Sequence, residues 1–431
     1  MFPPHWYAQL IPMLPFGPAQ RNSSLPVYDL TSKKAAFSSK AHIRPLSGGT
    51  DHLKFSMWNL AHAIKKAECT NSLATSVANT MALGFLLENQ HLFDYSGKQF
   101  NLADGAASYL DDFSQTGITG RVAQGFALLQ MECQGYGFVS RFDTFRKKLG
   151  VPIPTVASGG KHKSGKPIVK SVKTPDFVVE KFDKQRALVE SKGSFLDRGR
   201  RADIKGSIAH ALAQLSPWGS QFSPAITKKF AIGTYLREPE INDKEPSLMI
   251  VVDPEGEQSR DAVPVPHDAV RRLNYASWLH AMGYGAVSNK LISPLLASPM
   301  TAAFEVAEFS GGQYAYVPIA WASANDPDGV LRVTPIPSQW PALLSFSDFP
   351  NADIQILVLA LDFEILKKVA FASRFPSRDV LSEEIAGPGQ SARPLLQDSN
   401  EGSRFLDGSF IGLVRPQRSK FSTNTREELV F

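Results

Sequence analysis

The stretch Thr174–Gly193, TPDFVVEKFDKQRALVESKG, constrains this chain more than any other. It holds two short apolar runs, Asp176–Glu180 and Arg186–Lys192, joined by the charged, turn-like KFDKQ. Runs of that kind read as the two strands of a hairpin. Val178, Val179, Leu188 and Val189 suit a sheet that is mostly buried. The same hairpin carries Asp176, Glu190 and Lys192.

Side chains alternate across a strand, so Glu190 and Lys192 share one face and Ser191 points to the other. Regular pairing sets Asp176 near Glu190. Two carboxylates and an ammonium then meet at one sheet edge. Close carboxylates repel unless a cation sits between them. Oxygen ligands suit Mg²⁺ or Mn²⁺. A lysine beside such an ion can orient or deprotonate an attacking water.

Pro175-Asp176 followed by Glu190-Ser191-Lys192 resembles the PD-(D/E)xK signature of the restriction-endonuclease-like nuclease superfamily. The resemblance implies metal-dependent hydrolysis of phosphodiesters. It makes Asp176 and Glu190 metal ligands, helped by the Ser191 carbonyl, with Lys192 serving the water. Two other partial matches carry less. Asp203-Ile204-Lys205 opens a helix, where residues two apart diverge. Pro327-Asp328 sits in a DPDG turn with no acid-x-Lys after it. The competing reading of the hairpin is a surface element with a cross-strand ion pair.

Composition sets outer limits. A chain of 431 residues has room for two or three domains. Its 43% hydrophobic and 20% charged content is that of a soluble globular protein. A net charge of +5 is compatible with a nucleic-acid partner without requiring one. Cys69 and Cys133 stand in unrelated contexts, which excludes a disulfide framework and fits a cytoplasmic location. No signal peptide is evident. Cys69–Leu87 is too polar for a membrane span.

Residues 1–99 read as an N-terminal arm and helical region, with a strand near Pro26–Leu30. Helices are expected over 51–92, where Leu60, Ile64 and Ala67, then Leu83, Leu86 and Leu87, recur at helical spacing. Residues 100–255 form the nuclease-like domain. A short helix over Asp104–Phe113 precedes a loop ending at Gly117 and Gly120. A helix from Arg121 to Cys133 follows, with Val122, Phe126, Leu129 and Cys133 as its apolar stripe. In the family resembled, a helix before the hairpin often supplies a further acid. Here Gln124 stands where a Glu is more usual, able to offer a carbonyl but no charge, or else to serve as an ordinary surface amide. Glu132 is a weak substitute, about 80° round the helix and two turns on.

Lys161, Lys163 and Lys166 lie in a Gly- and Ser-rich loop before the hairpin. It is not a P-loop, and it reads as a phosphate-binding segment or as a solvated loop. Arg198, Arg200 and Arg201 form a basic cluster after the hairpin. On the next helix, to Leu215, Lys205 and Gln214 take positions that related nucleases use near the DNA backbone. Strands at Lys229–Leu236 and Ser247–Val252 complete an α/β sandwich with a mixed sheet.

Residues 256–431 read as a C-terminal α+β accessory domain. A helix spans His267–Gly283. Asp407-Gly408 marks a hairpin with a type I′ turn. The polar end, 415–431, reads as loosely held.

The fold class expected is therefore α/β. A restriction-endonuclease-like mixed-sheet core is flanked by an N-terminal helical region and the C-terminal α+β domain. The function expected is a Mg²⁺- or Mn²⁺-dependent nuclease. The resemblance favours DNA as its partner and suggests an effector of bacterial antiphage defence. It leaves room for a protein partner or sensor subunit and for a homo-oligomer, with no membrane. The alternative is a catalytically inactive nuclease-fold subunit that binds nucleic acid or a protein.

Overall fold

The computed structural model describes residues 22–30, 43–45, 52–68, 89–94, 99–161, 167–197, 200–223, 226, 228–238, 247–253, 263–266, 268–293, 299–323, 332–335, 354–375, 380–387, 402–414 and 425–431. The chain is mixed α/β.

Strands β1 (Asn22–Leu30), β2 (Ile43–Pro45) and β3 (His52–Ser56) precede helix α1 (Met57–Glu68). The short pair β4 (Phe93–Asp94) and β5 (Asn101–Leu102) leads to α2 (Ala106–Tyr109) and the long α3 (Asp112–Cys133). Next come β6 (Phe138–Arg141), α4 (Phe142–Lys148), β7 (Thr155–Lys161) and β8 (Pro167–Ser171). The hairpin is β9 (Phe177–Glu180) and β10 (Arg186–Leu196), followed by α5 (Ile204–Leu215). Then β11 (Phe222–Ser223), β12 (Lys228–Arg237), β13 (Leu248–Val252) and β14 (Val263–Pro264) precede α6 (Ala269–Ala281) and α7 (Gly285–Ile292). The last part comprises β15 (Thr301–Phe309), β16 (Gly312–Ser323), β17 (Arg332–Pro335), β18 (Ile354–Asp362), α8 (Phe363–Ser373), α9 (Val380–Glu384), β19 (Gly402–Arg404), β20 (Ser409–Val414) and β21 (Thr425–Val430).

The hairpin lies within a mixed sheet ordered β2-β1-β13-β12-β10-β9-β6, with β3 on β1. β10 is antiparallel to β9 and parallel to β12, so it is central and paired on both sides. Its alternating side chains feed two different cores. Val178, Leu188, Ala231 and Ile250 pack with Ile208, Ala211, Leu215 and Trp218. Val179, Val189, Ile232 and Val251 pack with Leu60, Ile64, Val122 and Phe126. Covering both faces explains why the strands read as continuous apolar runs. Each fully buried Val or Leu contributes about 1.5–3 kcal/mol.

The N-terminal strands join this same sheet, with Val27 paired to Met249 and Asp29 to Val251. Residues 52–56, expected to be helical, are a strand whose alternating burial matches its pairing to β1. Leu83, Leu86 and Leu87 lie outside the described residues. α3 starts nine residues before the expected Arg121 and runs through Gly117 and Gly120. Asp111 caps it by accepting a bond from the Ser114 N–H at 2.8 Å. Each glycine costs the helix about 1 kcal/mol, which packing of its later turns offsets.

A second sheet runs β19-β20-β18-β16-β15-β21, with β17 on β16. β21 pairs antiparallel with β15 from Thr301–Val430 to Val306–Thr425, so residues 425–430 are held, contrary to expectation. Asp407-Gly408 does make a hairpin turn. It is not type I′, because Gly408 takes positive φ (83°) and Asp407 does not. Phe405 N–H donates to the Ser409 carbonyl at 3.0 Å across the loop.

Asp407 is fully buried, and its carboxylate gathers distant elements. Lys66 of α1 donates to Oδ2 at 2.6 Å, Asn274 of α6 donates to Oδ2 at 2.7 Å, and Ser409 Oγ donates to Oδ1 at 2.6 Å. Burial pushes Asp407 up, but the Lys66 charge and these hydrogen bonds outweigh it and hold the carboxyl below its usual range. Beside it, burial and then the Lys66 charge hold His62 well below its ordinary value. Among the described residues no helix is long and apolar enough to cross a membrane.

Candidate functional site

The site is built where β9 begins. Asp176 precedes the first paired residue, Phe177, which faces Val189. Its backbone is pinned on both sides: its N–H donates to the Val189 carbonyl at 3.1 Å and its carbonyl accepts from Phe142 N–H at 3.1 Å. Trp218 Nε1 donates to the Lys173 carbonyl at 2.9 Å and so fixes the approach to Pro175. The Asp176 carboxylate takes three hydrogen bonds. Ser191 N–H (2.9 Å) and Ser191 Oγ (2.6 Å) donate to Oδ2, and Gln124 Nε2 donates to Oδ1 at 3.0 Å.

Glu190 and Lys192 project from the α5 face of β10. Lys192 Nζ donates to Glu190 Oε1 and to Gln214 Oε1, both at 2.6 Å. Glu190 is the deeper of the pair, with 4% of its side chain exposed against 23% for Lys192. The lysine therefore stands on the open side. Burial, and then the charge of Asp176, push the Glu190 carboxyl up to about 7 against the pull of Lys192 and, less, of the Asp176 backbone N–H. Its Oε2 is buried with no hydrogen-bond partner among the described residues.

That oxygen is the test of whether a cation fits. A buried acceptor without a donor is costly, and two coupled carboxylates compound the cost. A divalent ion held by Glu190 and Asp176 would remove both penalties. Asp176 Oδ1 accepts one bond, from Gln124, so it keeps a lone pair for such a ligand. Among the described residues no group of three or more His, Cys, Asp or Glu is placed to hold a metal. Two acidic residues alone are therefore available there, and other oxygen donors would have to complete the shell of any ion.

A glycine sets how closely α3 approaches. A Cβ on Gly193 would fall 2.7 Å from Ala123 Cβ and 2.9 Å from the Thr119 carbonyl oxygen. The missing side chain lets the helix backbone rest on β10, which brings Gln124 within reach of Asp176. On the other flank of the helix, a Cβ on Gly125 would meet Ile64 Cγ1 at 2.5 Å.

Of the residues singled out in the sequence, Asp176, Ser191 and Gln124 form one hydrogen-bonded set and Glu190, Lys192 and Gln214 another, linked by the Asp176 charge that acts on Glu190. Glu132 belongs to neither. It is buried away from the site and accepts a bond from the Leu406 N–H, because eight residues carry it about 12 Å along α3 from Gln124. Arg200, Arg201 and Lys205 are exposed, and Lys205 is about 13 Å of helix from Gln214. Arg200 pairs with Asp197 at 3.3 Å. Lys163, Lys166 and Arg198 lie outside the described residues; Lys161 ends β7.

Arg141 was not anticipated. It is the last residue of β6, opposite Phe177 in the ladder, and its guanidinium lies 4.8 Å from the Phe177 ring centre. Its Nη2 donates to Gln124 Oε1 at 3.0 Å. The only sequence signal is the alternation of Phe138–Arg141, which marks a strand but not its neighbour.

Searches against protein-family models, curated proteins and solved structures find no match for this chain.

Proposed function

We propose that the chain is a metal-dependent nuclease that hydrolyses phosphodiester bonds, built on a restriction-endonuclease-like core. One observation carries the reading: beside the start of β9, Lys192 bonds a Glu190 whose Oε2 is buried without a donor and whose carboxyl is raised in part by the nearby charge of Asp176. Asp176 and Glu190 would hold Mg²⁺ or Mn²⁺, with the Ser191 carbonyl a further candidate ligand. When bound, the ion supplies Lewis acidity toward a phosphate oxygen and lowers the pKa of the attacking water.

The remaining work belongs to the chain. Lys192, on the open side, places an ammonium where charge develops on the phosphate. Gln214 holds that ammonium in position at 2.6 Å. Ser191 and Gln124 fix the Asp176 carboxylate. DNA is the substrate proposed, on the strength of the PD-(D/E)xK resemblance. A role as an effector in antiphage defence, with a sensing partner, rests on the same resemblance.

Cleavage of plasmid DNA, linear DNA and RNA with Mg²⁺ or Mn²⁺, beside EDTA, tests the reading. Metal-dependent cutting lost in Glu190→Gln and in Lys192→Ala is the expected result. Cutting that survives in both variants places the activity elsewhere. The alternative, an inactive subunit that binds nucleic acid or a protein, draws on the amide at Gln124 where an acid is expected. It predicts DNA binding with no cleavage under any metal.

A further inference from the structure

Gln124 lies between two groups that leave its amide one orientation. Arg141 has only donors, so at 3.0 Å it faces the amide oxygen. An ionised Asp176 has only acceptors, so at 3.0 Å it faces the amide nitrogen. The Gln124 carbonyl is therefore engaged by a cation already. A metal ion at the same oxygen would stand against the guanidinium. Gln214 shows the same device: Lys192 holds its Oε1 at 2.6 Å while its Nε2 turns to the Thr174 carbonyl at 3.5 Å. Two carboxylates, Asp176 and Glu190, thus meet two fixed cations, Lys192 directly and Arg141 through an amide.

We infer that this site takes a single divalent cation, between Asp176 and Glu190, and that Arg141, acting through Gln124, stands where a second cation would otherwise bind. Arg141 is then a positioning residue that also offers a fixed positive charge to a substrate phosphate. The Phe177 ring 4.8 Å from its guanidinium braces it. The inference rests on the metal-dependent nuclease reading and sharpens it.

The test counts Mn²⁺ ions bound to the full-length chain without nucleic acid, by titration calorimetry and by the EPR signal of free Mn²⁺. Wild type is expected to bind one ion per chain, and Glu190→Gln none. Arg141→Gln and Gln124→Ala keep the count at one. The double variant Gln124→Glu, Arg141→Gln supplies a third carboxylate without its guanidinium and gains a second ion. Circular dichroism and a thermal melt show that each variant is folded. Two ions on wild type, one of them lost in Gln124→Ala, overturn the inference and leave the nuclease reading standing. No ion on folded wild type removes both.

Arg141 has its own readout, the anisotropy of a fluorescein-labelled DNA duplex in Ca²⁺. Loss of a charge-assisted contact in Arg141→Gln is expected to weaken binding about tenfold. Arg141→Lys is expected to restore most of it. Unchanged DNA affinity in Arg141→Gln overturns the role given to Arg141.

Discussion

Glu180 and Glu190 sit on one hairpin, both buried, and their surroundings could hardly differ more. Glu180, at the turn end, faces two guanidiniums: Arg186 Nε at 2.7 Å and Arg271 Nε at 2.6 Å. Arg271 in turn donates to the carbonyls of Lys181 (3.1 Å), Phe182 (2.8 Å), Ser382 (3.3 Å) and Ile385 (2.7 Å). Burial pushes the Glu180 carboxyl up while both arginines pull against it. Glu190, near the open end, has one cation, a neighbouring carboxylate and an oxygen with no donor. One end of the hairpin is saturated and holds the protein together. The other keeps an unmet electrostatic demand, the difference that the proposed cation would remove.

Removing charge should therefore have opposite effects at the two ends. Arg271→Ala leaves a buried carboxylate and four carbonyls short of donors. It should destabilise the fold by about 3–5 kcal/mol in a urea titration. At the open end the sign reverses. The Glu190 carboxyl binds its proton more tightly in the folded chain than in the unfolded one. Its stabilisation is complete below the unfolded value and is lost as pH rises from about 4.5 toward about 7. Metal-free wild type should lose on the order of 2–3 kcal/mol relative to Glu190→Gln across that window. Mn²⁺ should return most of it. A flat difference between the two proteins would show that Glu190 is not strained.

Smaller effects test how α3 is seated beside the open end. Gly193→Ala must move Ala123 or the Thr119 carbonyl. It should cost about 1–3 kcal/mol in a thermal melt and lower cleavage more than Gly125→Ala does. Ser191→Ala removes a single donor from Asp176 and should cost about 1 kcal/mol. If cleavage by that variant equals wild type, the Ser191 hydroxyl is not needed to hold Asp176.

How much of this could be read from the sequence follows from the range of each interaction. The hairpin was legible because its apolar runs and charged turn are local. Strand alternation was enough to place Glu190 and Lys192 on one face. Gln124 and Gln214 were reachable through the resemblance and helical spacing. Arg141 was not, since its role depends on β6 pairing with β9, a register no local pattern records. The entry of β1 into the sheet beside β13 was missed for the same reason. The start of α3 was missed because Gly117 and Gly120 speak against a helix that its Asp111 cap and its packing impose. Glu132 was read as a weak substitute, and the structure gives it another partner, because an acid on the right helix points elsewhere eight residues on.

The buried Asp407 carries a consequence for how the chain is made. Its lysine partner, Lys66, is 341 residues earlier, and Glu132 on the site helix bonds Leu406 next door. A ribosome has emitted α1 and α3 long before the loop that joins them leaves the exit tunnel. Until then Lys66 has no carboxylate and α3 lacks one of its anchors. These contacts close only once Asp407 has been made, so a truncated product stopping short of it would carry Asp176, Glu190 and Lys192 without the brace that joins α1 and α3 to the residue 402–414 hairpin.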